Sequence, residues 1–398
     1  MRILFVSTRP PWPYRRGDQA RVAGWISQLA TRHDVAVVCQ RPPGFPPTPF
    51  PDRVHGGQVA LSGWRMGRSL TQGWRWPLQV AMHYQPELAR RINETVEAFR
   101  PDVAVIVLSR LGWLVPALRG VPVVLDLVDS LALNMRRRAA RQPLLKPFWR
   151  LEARRIERWD RYWIGQVAAA LAVSAEDRKA LIEGSPELGE RIAVVPFGIS
   201  LPVSMPTPSA DQPIVLLSGN LGYFPTHDGA LWLAREVWPR VRQACPQAEW
   251  WLAGSRPPRD LQRLRNQAGI RLVIDPDDLT VIRRQVTVAV APMRSGSGTP
   301  IKVLEAMADG LPVVATPEAA AGLDGVGRQA IAVAAEASAF ADAIVRLIED
   351  ASAARRQAEA AWTWLQAQHD LSHSTRCFED VLEGVVGKVS AERRQGRR

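Results

Sequence analysis

Ala291-Pro-Met-Arg-Ser-Gly-Ser-Gly-Thr-Pro-Ile-Lys-Val-Leu-Glu-Ala-Met-Ala-Asp-Gly-Leu-Pro-Val-Val-Ala-Thr316 holds, in order, a strand, a glycine-bearing loop, a helix and a second strand. Gly296 and Gly298 let the backbone approach a ligand closely, and Thr299-Pro300 suits the first turn of a helix. Gly310 is the matching stop signal before Val313–Ala315. The free N–H groups and positive dipole end of such a helix suit a diphosphate. Lys302 adds a point charge, and Glu305, one turn further, is placed to accept hydrogen bonds from a ribose. An ordinary strand–helix–strand crossover with a glycine-rich turn has the same outline, so the glycines alone do not decide between the two.

Working outward, short Val/Ile/Leu/Ala runs without polar alternation recur, as parallel strands covered on both faces require. In the first half they are Ile3–Val6, Val35–Val38, Val103–Leu108, Val121–Leu125, Ala168–Val173 and Ile192–Val195. In the second they are Ile214–Leu217, Trp250–Ala253, Leu272–Ile274, Val288–Ala291, Val313–Ala315 and Ile331–Ala334. Between them, Val22, Trp25, Ile26, Leu29 and Ala30 follow the spacing of one buried helix face, as do Phe340, Ala343, Ile344, Leu347 and Ile348. Strand–helix alternation of this kind predicts an α/β chain with doubly wound parallel sheets. Ser200–Pro213 carries four prolines in fourteen residues and reads as an interdomain linker.

At 398 residues, two domains are expected, and 46% hydrophobic residues are enough for two cores. The three cysteines, Cys39, Cys245 and Cys377, are far apart and odd in number, which fits a reducing cytosol better than a disulfide framework. The opening residues lack the apolar length of a secretory signal, and no run reaches the roughly 20 apolar residues of a membrane span. The net charge of +12 is localised. Met135–Trp163 holds ten basic and three acidic residues, and Lys388–Arg398 five and one.

The quoted stretch resembles the nucleotide-binding signature of GT-B glycosyltransferases, specifically retaining family 4, in its glycine loop followed by Leu304-Glu-Ala-Met-Ala-Asp-Gly-Leu-Pro-Val-Val314. The resemblance extends over nearly the whole chain. It includes Met1–Arg21, Val194-Val-Pro-Phe-Gly-Ile-Ser200 and Leu217-Ser-Gly-Asn-Leu-Gly-Tyr-Phe-Pro-Thr-His-Asp228. Among relatives the sequence is most similar to sugar transferases of exopolysaccharide or exosortase-associated gene clusters. The fold so implied is GT-B, two Rossmann-like domains with parallel sheets facing across a cleft. The expected divisions are an acceptor-side domain at 1–200, a linker at 201–213 and a nucleotide-sugar domain at 214–368. A helix crossing back is expected at 369–387 and a basic disordered tail at 388–398.

By that resemblance, Gly17, Gly296, Gly298, Thr299 and Lys302, helped by Arg294, bind the donor diphosphate. Glu305, Gly254 and Ile274 bind ribose and base. Ser297 stands where the family usually has the first Glu of a Glu-x(7)-Glu pair that holds the donor sugar. The Arg and Lys that many relatives carry after the first strand of the second domain are absent, with Asn220 and Thr226 in that region. Asp129, and second to it Asp126, sit just past a buried strand, where relatives often carry a His or Asp near the anomeric carbon; helix capping by Asp129 with Ser130 is the alternative.

Asp275-Pro-Asp277 has the outline of a metal-binding Asp-x-Asp, but GT-B enzymes generally stabilise the leaving diphosphate with protein groups. His369, His373 and Cys377 recur every four residues with no fourth ligand apparent. No metal and no further cofactor is therefore expected. Phe148, Trp149, Trp159, Tyr162 and Trp163 among arginines, with Trp64, Trp74 and Trp76 upstream, suit an anionic membrane surface or sugar stacking, and a solvated helix with core tryptophans is the alternative. No nucleic-acid motif accompanies the charge. The expected activity is transfer from a nucleotide-diphosphate sugar to a glycan or lipid-linked acceptor, with retention, on the cytoplasmic membrane face. A nucleotide-sugar epimerase and a non-catalytic nucleotide-binding adaptor are the alternatives.

Overall fold

The computed structural model describes residues 1–14, 16–42, 46–61, 76–208 and 212–395, so Trp64 and Trp74 lie outside the described residues. The chain divides into two units, one comprising residues 1–136, 144–198 and 371–398, the other 137–143 and 199–370.

The first unit runs β1 (Arg2–Ser7), α1 (Gly17–Leu29), β2 (Asp34–Arg41), β3 (Val54–Ala60), α2 (Leu78–Met82), α3 (Pro86–Phe99) and β4 (Val103–Val107). A 3-10 segment (Ser109–Leu118), β5 (Val123–Asp126), α4 (Leu131–Arg141), α5 (Lys146–Gln166), β6 (Ala169–Ala172), α6 (Ala175–Ile182) and β7 (Ile192–Val194) follow. Its seven parallel strands are ordered β3-β2-β1-β4-β5-β6-β7. One apolar layer packs Leu88, Ile92, Leu111 and Ile164 on one face of the sheet, and a second packs Trp25, Ile26 and Phe378 on the other. Strands buried on both faces must be apolar at successive positions, which is why their runs were legible.

The second unit runs β8 (Ile214–Asn220), α7 (Phe224–Trp232), α8 (Trp238–Ala244), β9 (Glu249–Ser255), α9 (Arg259–Arg263), β10 (Ile270–Ile274), α10 (Leu279–Arg283) and β11 (Val288–Ala291). It continues with α11 (Ile301–Ala308), β12 (Val313–Ala315), α12 (Gly325–Gln329), β13 (Ala332–Val333), α13 (Ala337–Glu349) and α14 (Ala351–His369). Its parallel sheet is ordered β10-β9-β8-β11-β12-β13. In both sheets the strand order reverses beside the unit's first strand, at β1/β4 and at β8/β11. The carboxyl ends of those strands are where open α/β sheets hold ligands.

Two expectations are corrected. β3 had no apolar run to announce it: it is a sheet edge, largely exposed, and is interrupted by Gly56-Gly57. Residues 388–398 were expected to be disordered, but α15 (Leu371–Gln395) carries the chain in helix to Gln395. The heptad-like burial of Phe378, Leu382 and Val385 against α1 anchors this helix.

Arg21 of α1 and Asp126 at the end of β5 form a fully buried ion pair, with Nε–Oδ2 at 3.0 Å. Arg21 also donates to the carbonyls of Val195 at 2.9 Å and Pro196 at 3.1 Å, and lies 4.1 Å above the Trp25 ring. A single guanidinium therefore ties the first helix, the middle of the sheet and the end of β7 together. α5 buries two carboxyls, Glu152 and Asp160. Glu152 accepts from the Leu78 N–H and from Arg155, both at 2.7 Å. Burial pushes Asp160 up to about 7 against a hydrogen bond from Ser109, and its Oδ1 has no hydrogen-bond partner.

Removing one member of a buried pair strands the other's charge, so Arg21→Met is expected to cost about 3–5 kcal/mol in denaturant unfolding. A loss below about 1 kcal/mol contradicts this role. Asp160 titrates higher folded than unfolded, so the native chain holds an extra proton between about pH 4 and 7, and stability falls as pH rises through that window. Asp160→Asn is expected to raise the melting midpoint at about pH 8 by the equivalent of a few kcal/mol, and to change it much less at about pH 5. An unchanged or lower midpoint at about pH 8 contradicts the assignment.

Candidate active site

In the second unit, glycines bring backbone segments into contact at the strand ends. Gly219 of β8 and Gly254 of β9 are register partners, and a Cβ on Gly254 would clash with the Gly219 carbonyl. Ile274, the last residue of β10, pairs with Gly254 in turn and is 47% exposed, so Gly254 and Ile274 lie side by side. A Cβ on Gly229 would stand 2.5 Å from the Pro292 carbonyl, and one on Gly322 2.5 Å from that of Gly298. These contacts clamp α7 and the chain after β12 against the loop that follows β11.

That loop carries Gly296 at φ +117° and Gly298 at φ +76°, values that favour glycine. Ser297 lies half-buried between them, and the buried Thr299 donates to the Gly322 carbonyl at 3.3 Å. α11 then starts behind Pro300 with no side-chain cap, leaving its first N–H groups to the loop side. It ends in a Schellman arrangement, with Gly310 N–H to Met307 O at 3.0 Å and Leu311 N–H to Ala306 O at 3.0 Å. Gly310 sits at φ +71° against the Pro206 carbonyl, which leaves no room for a Cβ.

Lys302, in the first turn of α11, donates from Nζ to Thr226 Oγ1 at 2.9 Å. Its Cε and Nζ each lie 3.5 Å from where a Cβ on Gly219 would be, so Lys302 packs beside the Gly219 backbone. Burial pushes the ammonium down to about 8, with Glu305 opposing. Glu305 is 3.5 Å from Arg283, whose guanidinium also makes a close ion pair with Asp309. Burial raises the Glu305 carboxyl, while Arg283 and Lys302 hold it down. Arg283 and Asp309 were not singled out from the sequence. Arg283 comes from α10, and nothing in its local pattern distinguishes it from the neighbouring Arg284.

Arg294, grouped above with the diphosphate ligands, is already engaged. Its Nε is 3.6 Å from Asp228, and its guanidinium lies 5.2 Å from the Trp232 ring centroid. Within the same unit Arg141 also binds Asp228 at 3.2 Å, Arg137 donates to the Gly296 carbonyl at 2.8 Å, and Arg138 lies 4.6 Å from the Phe224 ring centroid. Part of the basic segment 135–163 is thus spent on bracing the glycine loop.

In the first unit, charged groups collect at the β1/β4/β5 ends. Gly17 is the first residue of α1, and the adjacent Asp18 binds Arg9 at 2.6 Å. Asp126, the second catalytic candidate, is corrected to a structural role: its side chain is wholly buried and held by Arg21 and by the Val128 N–H at 3.3 Å. Asp129, three residues past β5 and half-buried, follows Val128 at φ +64°; Leu108, past the end of the neighbouring β4, is at φ +72°. Positive φ at a β-branched and a bulky residue is strained backbone, and strain of this kind concentrates at functional sites.

Arg110, just beyond, is pushed down to about 10 by burial and by Arg9, while Asp18 and Asp129 act in the opposite sense. Its Nη1 is 3.4 Å from His83 Nε2, and its buried Nε has no hydrogen-bond partner. His83 Nδ1 donates to Gln40 Oε1 at 2.9 Å, and burial together with Arg110, Arg9 and Arg16 holds it well below the usual imidazole range. His83 and Arg110 escaped notice because the fold, not their spacing, joins them. His369 ends α14 and packs on Trp364, and extended Asp370 separates it from His373 and Cys377 on α15, so the three share no helix face. No group of three metal-ligating side chains occurs among the described residues.

Residues 212–350 match the family model described as Glycosyl transferases group 1. No curated protein sequence matches the chain significantly. Solved structures similar along its length include sucrose-phosphate synthase from Thermosynechococcus elongatus. That one has 16% identity and a TM-score of 0.76, covering 97% of this chain and 99% of that one. Anabaena HepE in complex with UDP and glucose has 15% identity and a TM-score of 0.67, covering 96% and 99%. WaaG, a glycosyltransferase involved in lipopolysaccharide biosynthesis, has 16% identity and a TM-score of 0.67, covering 97% and 100%. The second unit thus carries the match to the group 1 glycosyltransferase model, within a chain that has the GT-B fold of two Rossmann-like units.

Proposed function

We propose that this chain transfers a sugar from a nucleotide-diphosphate sugar to a glycan or lipid-linked acceptor, with retention, at the cytoplasmic face of a membrane. The observation that carries the reading is the position of Lys302. It is a desolvated ammonium in the first turn of an uncapped helix, beside a two-glycine loop at the sheet's switch point. As the bond from the anomeric carbon to the diphosphate oxygen breaks, negative charge grows on the leaving group. Lys302 and the N–H groups opening α11, with Gly296, Gly298 and Thr299, are the donors that would stabilise it.

Glu305, steadied by Arg283, is assigned to the ribose, and Gly254 with Ile274 to the base. Ser297 is assigned to the donor sugar, where a hydroxyl replaces a carboxylate and changes what it can recognise. Asp129 is assigned to the reacting centre and Gly17 to the phosphates. HepE, a fold relative, has been crystallised with UDP-glucose, which favours a uridine donor as the first to test.

Calorimetry with UDP, GDP, ADP and dTDP is expected to show one preferred nucleotide. Lys302→Met should weaken it by about 10- to 100-fold, the worth of one charge-assisted hydrogen bond, and Glu305→Ala should also weaken it. Asp129→Asn should retain nucleotide binding and lose turnover. If the folded protein binds no nucleotide, the reading fails. Conversion of donor without acceptor would instead identify an epimerase, and binding without turnover on any acceptor an adaptor.

The lowered Lys302 carries its charge below about pH 8 and loses it above, so apparent affinity is expected to fall as pH rises past about 8 in wild type and to be flat in Lys302→Met. Equal pH profiles in the two proteins would exclude Lys302 as the diphosphate partner.

A further inference from the structure

The outer face of α5 and the 3-10 turn before it (Pro143–Leu145) present apolar side chains to solvent without cover from the described residues. Leu144 is 97% exposed, Leu145 49%, Phe148 40% and Leu151 53%. Their neighbours on the same face, Lys146, Arg150, Arg154 and Arg158, are all exposed and all basic. The helix has three acids, and none offsets that row. Glu152 and Asp160 are buried, and Glu157 is held in a close ion pair by Arg136. A solvated helix face ordinarily mixes charge signs, whereas this one carries apolar tips within a one-sign field.

Leu151, Arg154 and Arg158 are separated by three and four residues, so they form one stripe, with Leu144, Leu145 and Phe148 at its N-terminal tip. The inner face is fixed. Trp149 and Leu131 pack on the cluster of Ala132, Met135, Ala153 and Ile156, and Trp163 and Ile164 join the sheet-covering core. The exposed residues therefore project from a rigid base, and packing within the unit does not account for them.

We infer that this face docks on an anionic lipid bilayer, with Leu144, Leu145, Phe148 and Leu151 entering the acyl boundary and the basic row at the headgroup phosphates. An isologous contact with a second copy would set two like-charged rows against each other, which disfavours that occupant. No described helix is long and apolar enough to cross a membrane, so the attachment is interfacial. The inference deepens the proposed transfer to a lipid-linked acceptor and rests on it only for its purpose, since vesicle binding can be read without any sugar chemistry.

The test is co-sedimentation of the full chain with vesicles of phosphatidylcholine, with and without added phosphatidylglycerol, at low and raised salt. Wild type is expected to bind the anionic vesicles and not the neutral ones. Arg150→Gln with Arg154→Gln should weaken binding about 30-fold, from the loss of two basic residues at the surface. Leu144→Ser with Leu145→Ser and Phe148→Ser should abolish the part that survives raised salt. All five side chains are exposed, and unchanged nucleotide affinity by calorimetry checks that each variant is folded.

No vesicle binding by wild type that still binds nucleotide overturns the docking and leaves the transferase reading intact. Vesicle binding without nucleotide binding does the reverse. Vesicle binding unaffected by either set of substitutions overturns the assigned face, as does self-association that the serine variant abolishes.

Discussion

The second unit is organised by close approaches that only glycine permits. At Gly219 and Gly254, adjacent strand ends come together; at Gly229 the next helix reaches the Pro292 carbonyl; at Gly322 the chain crosses the Gly298 carbonyl. At Gly254, Gly229 and Gly322 a methyl group would meet a main-chain carbonyl and would have to move backbone. The result is a switch point whose rim is peptide groups. Into that rim Lys302 projects from α11, seated against Thr226 and beside Gly219. The arrangement is costly for an unliganded protein, since a desolvated ammonium prefers to lose its proton, and an incoming anion would relieve that cost. Arg141 and Arg294 on Asp228, with Arg137 on the Gly296 carbonyl, hold the loop from outside.

The first unit solves the same topological problem with charge. Arg21 and Asp126 take up the centre of the sheet's carboxyl edge in a dry ion pair, which secures α1, β5 and the end of β7 and leaves neither group for chemistry. Around it stand Arg9, Asp18, His83, Arg110 and Asp129, reached from five different strand or helix ends. The positive φ of Leu108 and Val128 places strained backbone at this same edge. Of the two carboxylates at and just past the end of β5, Asp126 is wholly buried and Asp129 half-buried.

The sheets were legible because parallel strands covered on both faces must be apolar at every position, and twelve of the thirteen strands announced themselves in this way. β3 did not: its exposed edge sequence is broken by His55, Gly56, Gly57 and Gln58. The glycine loop, Lys302 and Glu305 were legible because glycine, proline and a cation in that order have few structural uses. What remained hidden depends on contacts between distant segments: Arg283 beside Glu305, Arg110 against His83, Asp228 bound by two arginines. The basic segment at 135–163 was visible as composition only. Its division into arginines that brace a loop, carboxyls that are buried and a one-sign outer row needed side-chain positions. The C-terminal tail was misjudged because its last residues are polar, although the helix is secured further back by Phe378 and Leu382.

The central claim is that the glycine loop and the start of α11 form the diphosphate site. Backbone amide hydrogen exchange on the full chain, with and without a saturating nucleoside diphosphate, addresses it at the residues concerned. The account predicts slowed exchange at 296–302 and at 219–226, with little change in α13 and α14. Protection absent from both segments while the nucleotide is bound would contradict it.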